Sequence, residues 1–138
     1  MNYFWHDVER RAVRHKIPFT GRAPYPADPE LLALRVGVIA AEDGWCADYS
    51  RTTFHKWFIG RRAPGVADHV ERVLASLGKP PAPIIARAIS ADGERLLKEA
   101  TDGARKFGIF GAPTFAIGSE IYWGDDRLAD ALSFASRR

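Results

Sequence analysis

The chain has 138 residues, of which 46% are hydrophobic and 27% charged, and a formal net charge of +3. That length supports one modest core, and the composition excludes a disordered or low-complexity tract. The small positive balance gives a weak preference for anionic ligands and no case for nucleic acid.

Phe4, Val8, Ala12 and Val13 share one face of a first helix that stops before Ile17-Pro18. Arg10, Arg11, Arg14 and Lys16 then read as its solvated face. Thr20 to Pro26, rich in glycine and proline, is a loop. Asp28-Pro29-Glu30 predicts a helix start, with a capping side chain, proline at the first helical position and an acid near the positive dipole end. That helix runs through Leu31, Leu34, Val38 and Ile39 to about Gly44. Ser50 is expected to cap a shorter helix carrying Phe54, Trp57 and Phe58, with Gly60 ending it. Val66, Val70, Val73, Leu74 and Leu77 mark another, closed by Gly78 and Pro80. Ile84, Ile85 and Ile89 suggest a short one. Ser90 precedes a helix with Leu96, Leu97, Ala100, Ala104 and Phe107 on one side, stopped by Gly108. All these apolar stripes read as packing faces.

The character changes at Gly108. Thr114 to Ile117 and Glu120 to Trp123 are two short β-like runs, and Gly118-Ser119 between them suits a type II′ hairpin turn. A last helix runs through Leu128, Ala131, Leu132 and Ala135, with Asp125 as its natural N-cap. The expected organisation is a helical block over residues 1–107 and a hairpin-and-helix part over 108–138.

The lone cysteine, Cys46, excludes an internal disulfide and a Cys-x-x-Cys pair. It reads as a half-buried structural thiol, with no basic neighbour placed to lower its pKa. The N-terminus lacks the basic and apolar regions of a signal peptide, and no apolar run reaches bilayer length. The cytoplasm is the expected location. No metal site is read.

Two stretches carry chemistry. In Gly108-Ile109-Phe110-Gly111-Ala112-Pro113-Thr114-Phe115, a proline stands at the mouth of a strand, where its missing N–H is tolerated. A trans proline in an ordinary loop and a cis proline are both open there. A cis bond would turn the Ala112 backbone outward to pair with an extended peptide ligand. In Trp123-Gly124-Asp125-Asp126-Arg127-Leu128, two carboxylates meet a helix start. They are either plain caps or, with the free N–H groups, a seat for an α-amino acid moiety that carries both ammonium and carboxylate. The γ-glutamyl end of glutathione is such a moiety.

Taken together, Phe110-Gly111-Ala112-Pro113-Thr114-Phe115, the hairpin, and Trp123-Gly124-Asp125-Asp126-Arg127-Leu128 resemble the C-terminal signature of the 2-hydroxychromene-2-carboxylate isomerases. These form a thioredoxin-fold family related to DsbA and to kappa-class glutathione transferases. Tyr3-Phe4-Trp5-His6-Asp7-Val8-Glu9-Arg10-Arg11-Ala12 resembles the helix after that family's second strand, and the loop with Pro24 and Pro26 followed by Ala33-Leu34-Arg35 also fits. The resemblance spans essentially the whole chain and is most specific over 108–128. It implies an α/β thioredoxin-like fold with a large helical insertion and a cis bond at Pro113. It further implies glutathione as cofactor, held by the Ala112 backbone and by Trp123, Gly124, Asp125 and Asp126. The implied substrate is a small aromatic or unsaturated carboxylate.

The family's opening strand–helix–strand unit, with the serine that hydrogen-bonds the glutathione sulfur, has no counterpart in this sequence. The chain is therefore expected to be N-terminally incomplete, with no catalytic residue of its own. Ser119 in the turn and Ser50 as a cap are not assigned the serine's role. The Thr114–Ile117 strand would lie beside the first strand of that unit. Its open edge would invite pairing, including with a second copy. Two other readings stay open: a DsbA-like thiol–disulfide oxidoreductase with its Cys-x-x-Cys upstream, and a non-catalytic helical interaction module.

Overall fold

A computed structural model describes residues 3–137. In chain order its elements are helices α1 (Tyr3–Arg14), α2 (Leu32–Glu42), α3 (Cys46–Phe58), α4 (Ala67–Ser76), α5 (Pro81–Ile89) and α6 (Ala91–Lys106). Strands β1 (Thr114–Ile117) and β2 (Glu120–Trp123) follow, then a 3₁₀ turn (Asp125–Arg127) and helix α7 (Leu128–Ala135). The chain forms two compact units, Met1–Leu97 and Lys98–Arg138.

In the first unit the core joins α2 to α5. Leu32, Val36, Ile39 and Ala40 of α2 pack with Tyr49 of α3, Val70, Val73 and Leu74 of α4, and Ala88 of α5. The i, i+4, i+7 spacing of Leu32, Val36 and Ile39 puts them on one face of α2, and Val36, Ile39 and Leu74 are fully enclosed. Tyr49 is buried among them. Its hydroxyl donates to the Ala33 carbonyl at 3.1 Å, and burial holds that phenol well above its ordinary range. On the rim, the Arg87 guanidinium gathers carboxylates from both sides: Asp92 at 2.8 Å, Asp43 at 3.4 Å, and Glu42.

Several local expectations are corrected here. Asp28 does cap α2, accepting from the N–H groups of Ala33 at 3.2 Å and Leu34 at 2.9 Å. It does so across an intervening turn in which Leu31 is left-handed, at φ 56°, so Pro29 lies outside the helix and α2 starts at Leu32. Ser50 caps nothing. It sits in the second turn of α3, its Oγ 3.6 Å from Cys46 Sγ, and the helix begins at Cys46. The left-handed residue after α3 is Arg61 rather than Gly60. On α1, only Ala12 is buried, while Phe4 and Val13 are 60% and 72% exposed, so that stripe is not a packing face in full.

The second unit is the end of α6, the hairpin and α7. β1 and β2 pair antiparallel with Thr114 opposite Trp123 and Ile117 opposite Glu120. Gly118 takes φ 63°, while Ser119 is not among the residues with positive φ, the pattern of a II′ turn rather than I′. A two-stranded sheet is marginal unless one face is covered, and α7 covers it: Ala131 is buried, and the Phe134 ring lies 6.0 Å from that of Tyr122.

Candidate functional site

The two stretches singled out in the sequence meet at the open end of the hairpin. Register puts Thr114 opposite Trp123, so the residues just outside the ladder, Pro113 and Gly124, face each other across the strands. The Gly124 N–H donates to the Pro113 carbonyl at 2.9 Å, one hydrogen bond beyond the sheet. The Ala112–Pro113 peptide bond is cis, as is Tyr25–Pro26 in the first unit, which the sequence did not suggest.

Two glycines make this junction. Gly111 lies against the Trp123 indole so closely that a Cβ would collide with its ring nitrogen. Gly124 takes φ 111° and ψ 150°, a region that side chains other than glycine's hydrogen all but exclude; a Cβ there would also press on the Asp126 carboxylate. The Phe110 ring, 5.1 Å from Trp123, continues the apolar wall. The Thr114 hydroxyl donates to the Gly111 carbonyl at 2.5 Å, which holds the loop from within.

Asp125 and Asp126 follow directly, both exposed. The expectation that Asp125 caps the last helix is corrected: it is the first residue of a 3₁₀ turn entered from Gly124, and the residue ahead of α7 is Arg127, which makes no side-chain cap. Arg127 instead reaches forward to Asp130 at 3.1 Å, with Asp126 at 4.0 Å. Thus Ala112, Pro113, Trp123, Gly124, Asp125 and Asp126 form one continuous patch. In it Ala112 is exposed, as are the carboxylates of Asp125 and Asp126 at the start of the 3₁₀ turn.

Those groups fit the amino-acid end of a peptide. A carboxylate accepts from its ammonium. The Thr114 hydroxyl proton is engaged with Gly111. A groove of about 590 Å³ lies beside the patch, between β2 and α7, lined by Ile121, Tyr122, Trp123, Arg127, Asp130 and Ser133; of the patch, only Trp123 borders it.

The first unit carries a feature that hydrophobic periodicity hid. Trp5, Tyr25, Trp57 and Phe54 follow one another with ring centroids 6.5, 5.6 and 6.2 Å apart. Tyr25 and Phe54 are 70% and 54% exposed. The Trp57 indole N–H donates to the Pro24 carbonyl at 3.0 Å, pinning the loop that carries Tyr25. Reading Phe54 as core concealed this; the signal was an aromatic in a Pro-rich loop. Among the described residues no cluster of His, Cys, Asp and Glu could hold a metal ion, and no helix is long and apolar enough to cross a membrane.

Residues 1–134 match the family model described as the DSBA-like thioredoxin domain. A solved structure of 2-hydroxychromene-2-carboxylate isomerase is similar over 99% of this chain, with a TM-score of 0.83 and 25% sequence identity. This chain spans 66% of the length of that one. No curated protein matches.

Proposed function

Because the chain belongs to the DSBA-like thioredoxin domain family, we propose that it is the ligand-holding portion of a glutathione-dependent isomerase acting on small aromatic or unsaturated carboxylates. The observation that supports this reading is the Gly124–Pro113 hydrogen bond, which ties the loop carrying Ala112 to the turn carrying Asp125 and Asp126. A thioredoxin fold alone serves many chemistries; that junction is what favours a γ-glutamyl peptide over a protein disulfide.

In this reading Ala112 pairs its backbone with the peptide, as an added strand would. Asp126 accepts from the α-ammonium, and the N–H groups that open the 3₁₀ turn hold the α-carboxylate. Trp123 and Phe110 wall the peptide from water. Glutathione, when bound, supplies a thiol whose reversible addition to a conjugated double bond lets that bond rotate. A free thiol is only a few per cent ionised at neutral pH. The reading gives none of the described residues the role of stabilising the thiolate. It assigns the protein to the cytoplasm and leaves the open β1 edge free to pair with a second copy.

The oxidoreductase alternative would need a Cys-x-x-Cys elsewhere, as Cys46 lies within α3 beside Ser50. Calorimetric titration of the chain with S-methylglutathione tests the proposal. Saturable binding is expected, weakened about tenfold by Asp126→Asn, the worth of one charge-assisted hydrogen bond. Absence of binding, or equal affinity in the variant, would remove the proposed seat.

A further inference from the structure

Remote in sequence from the hairpin, the first unit encloses a second site. A cavity of about 220 Å³ opens at the start of α4, lined by Arg61, Arg62, Val66, Asp68, His69 and Arg72. The charges there do not cancel. Arg61 donates to a neutral acceptor, the Thr20 carbonyl, at 2.7 Å. Arg62 has no carboxylate within ion-pair distance among the described residues. Arg72 alone is matched, by Asp68 at 2.8 Å. Three guanidinium groups thus face one carboxylate. Lys56, half-buried on α3, adds to the positive field.

The floor of the cavity is His69. It is only 6% exposed, and its Nε2 is buried without a hydrogen-bond partner. Buried ring nitrogens are seldom left unpaired in native proteins. Burial first, and then the charges of Lys56, Arg62 and Arg72, lower the pKa of this histidine, so it is neutral at pH 7. The His69 and Val70 amides both bond the Val66 carbonyl; those of Ala67 and Asp68 stand at the open end of α4, where a helix has no acceptor of its own and favours negative charge.

We infer that this cavity binds a compact phosphate-class dianion, with Arg61, Arg62 and Arg72 supplying charge and His69 the buried ring N–H. Two guanidinium charges remain after Asp68 is counted, which matches a dianion better than a carboxylate. Arginine forks fit tetrahedral oxyanions bidentately. The volume lies below that of ordinary small-molecule clefts, so a phosphate group fits and a tripeptide such as glutathione does not. Asp68 opposes the anion and limits its affinity.

The test uses the full chain and the ring C–H resonances of its four histidines, His69 being assigned through His69→Gln. Inorganic phosphate is titrated against chloride at matched ionic strength. Phosphate is expected to shift the His69 resonance saturably and to raise its pKa. Arg62→Ala, at an exposed side chain, is expected to weaken binding about tenfold, and Arg62→Lys by less. Phenyl phosphate binding as well as phosphate would mark a phosphomonoester site, and phosphate alone a free-ion site; either supports the inference. A His69 resonance that phosphate moves no more than chloride does, or an Arg62→Ala variant with unchanged affinity, would overturn it. So would displacement of phosphate by saturating glutathione, which would make the cavity part of the glutathione seat. The two sites use different residues, so failure of either leaves the other standing.

Discussion

The two units bury their apolar side chains very differently. Every buried apolar residue except Ala131 belongs to Met1–Leu97, where four helices close around Val36, Ile39 and Leu74. In Lys98–Arg138, Phe107, Phe110, Trp123, Leu128 and Leu132 are all exposed. One unit has a core; the other is a two-stranded sheet held by one helix. Hydrophobic burial scales with area removed from water, so stability resides in the first unit and the proposed glutathione seat lies on the less stable one. Ligand-holding segments are commonly drawn from that end of the stability range.

The strongest test of that contrast is a matched pair of leucine truncations. Leu74→Ala removes a fully enclosed side chain and is expected to cost about 2–5 kcal/mol. Leu132→Ala, at a position 61% exposed, is expected to change stability by no more than about 0.5 kcal/mol. Urea unfolding followed by helical circular dichroism measures both. Comparable losses would dissolve the distinction. Amide exchange sharpens it further: α2 and α4 should open only with global unfolding, and β1 and β2 well before it.

Next in size is Gly124→Ala. The φ of 111° and ψ of 150° put a cost of about 1–3 kcal/mol on any side chain, borne by the weaker unit. S-methylglutathione binding should be lost while the helical signal and the exchange protection of α2 and α4 persist. Loss of protection in α2 would show that the units unfold together.

How much of this was readable from the amino acids follows the same division. The hairpin was readable residue by residue, because alternation, a Gly-Ser turn and flanking glycines all act within a few positions. The patch at Ala112, Pro113 and Trp123 to Asp126 was readable through its motif. Its geometry was not: the 3₁₀ turn that displaces Asp125 from a cap depends on Gly124 bonding to Pro113 across the sheet. Ser50 misled because a serine ahead of Phe54, Trp57 and Phe58 reads as a helix start, while Trp45 and Cys46, at the true start of α3, pack on the core. His69 was invisible within the Val66, Val70, Val73 stripe, since a histidine at that spacing reads as one more packed position. Only the fold brings Arg61 and Arg62 over it.

The smallest expected effect concerns the ionic rim of the first unit. Arg87 and, less, Arg95 hold Asp92 below the usual carboxylate range through hydrogen bonds. A carboxylate whose folded value is depressed stabilises fully above its unfolded value, near pH 4, and its contribution fades as pH falls through the folded value. Arg87 spans Glu42 and Asp43 at the end of α2 and Asp92 at the start of α6, so acid should loosen a junction between elements. In the second unit, Asp102 is likewise depressed, by Lys98 first, but Lys98 and Asp102 lie one turn apart on α6 and join nothing that helix does not already hold. Arg87→Met should therefore flatten the acid limb of the unfolding curve more than Lys98→Met does. The pairs are solvent-exposed and screened, so the Arg87 effect should also shrink in high salt. An acid limb insensitive to both substitution and salt would mean that the first unit owes its stability to the Val36–Ile39–Leu74 core alone.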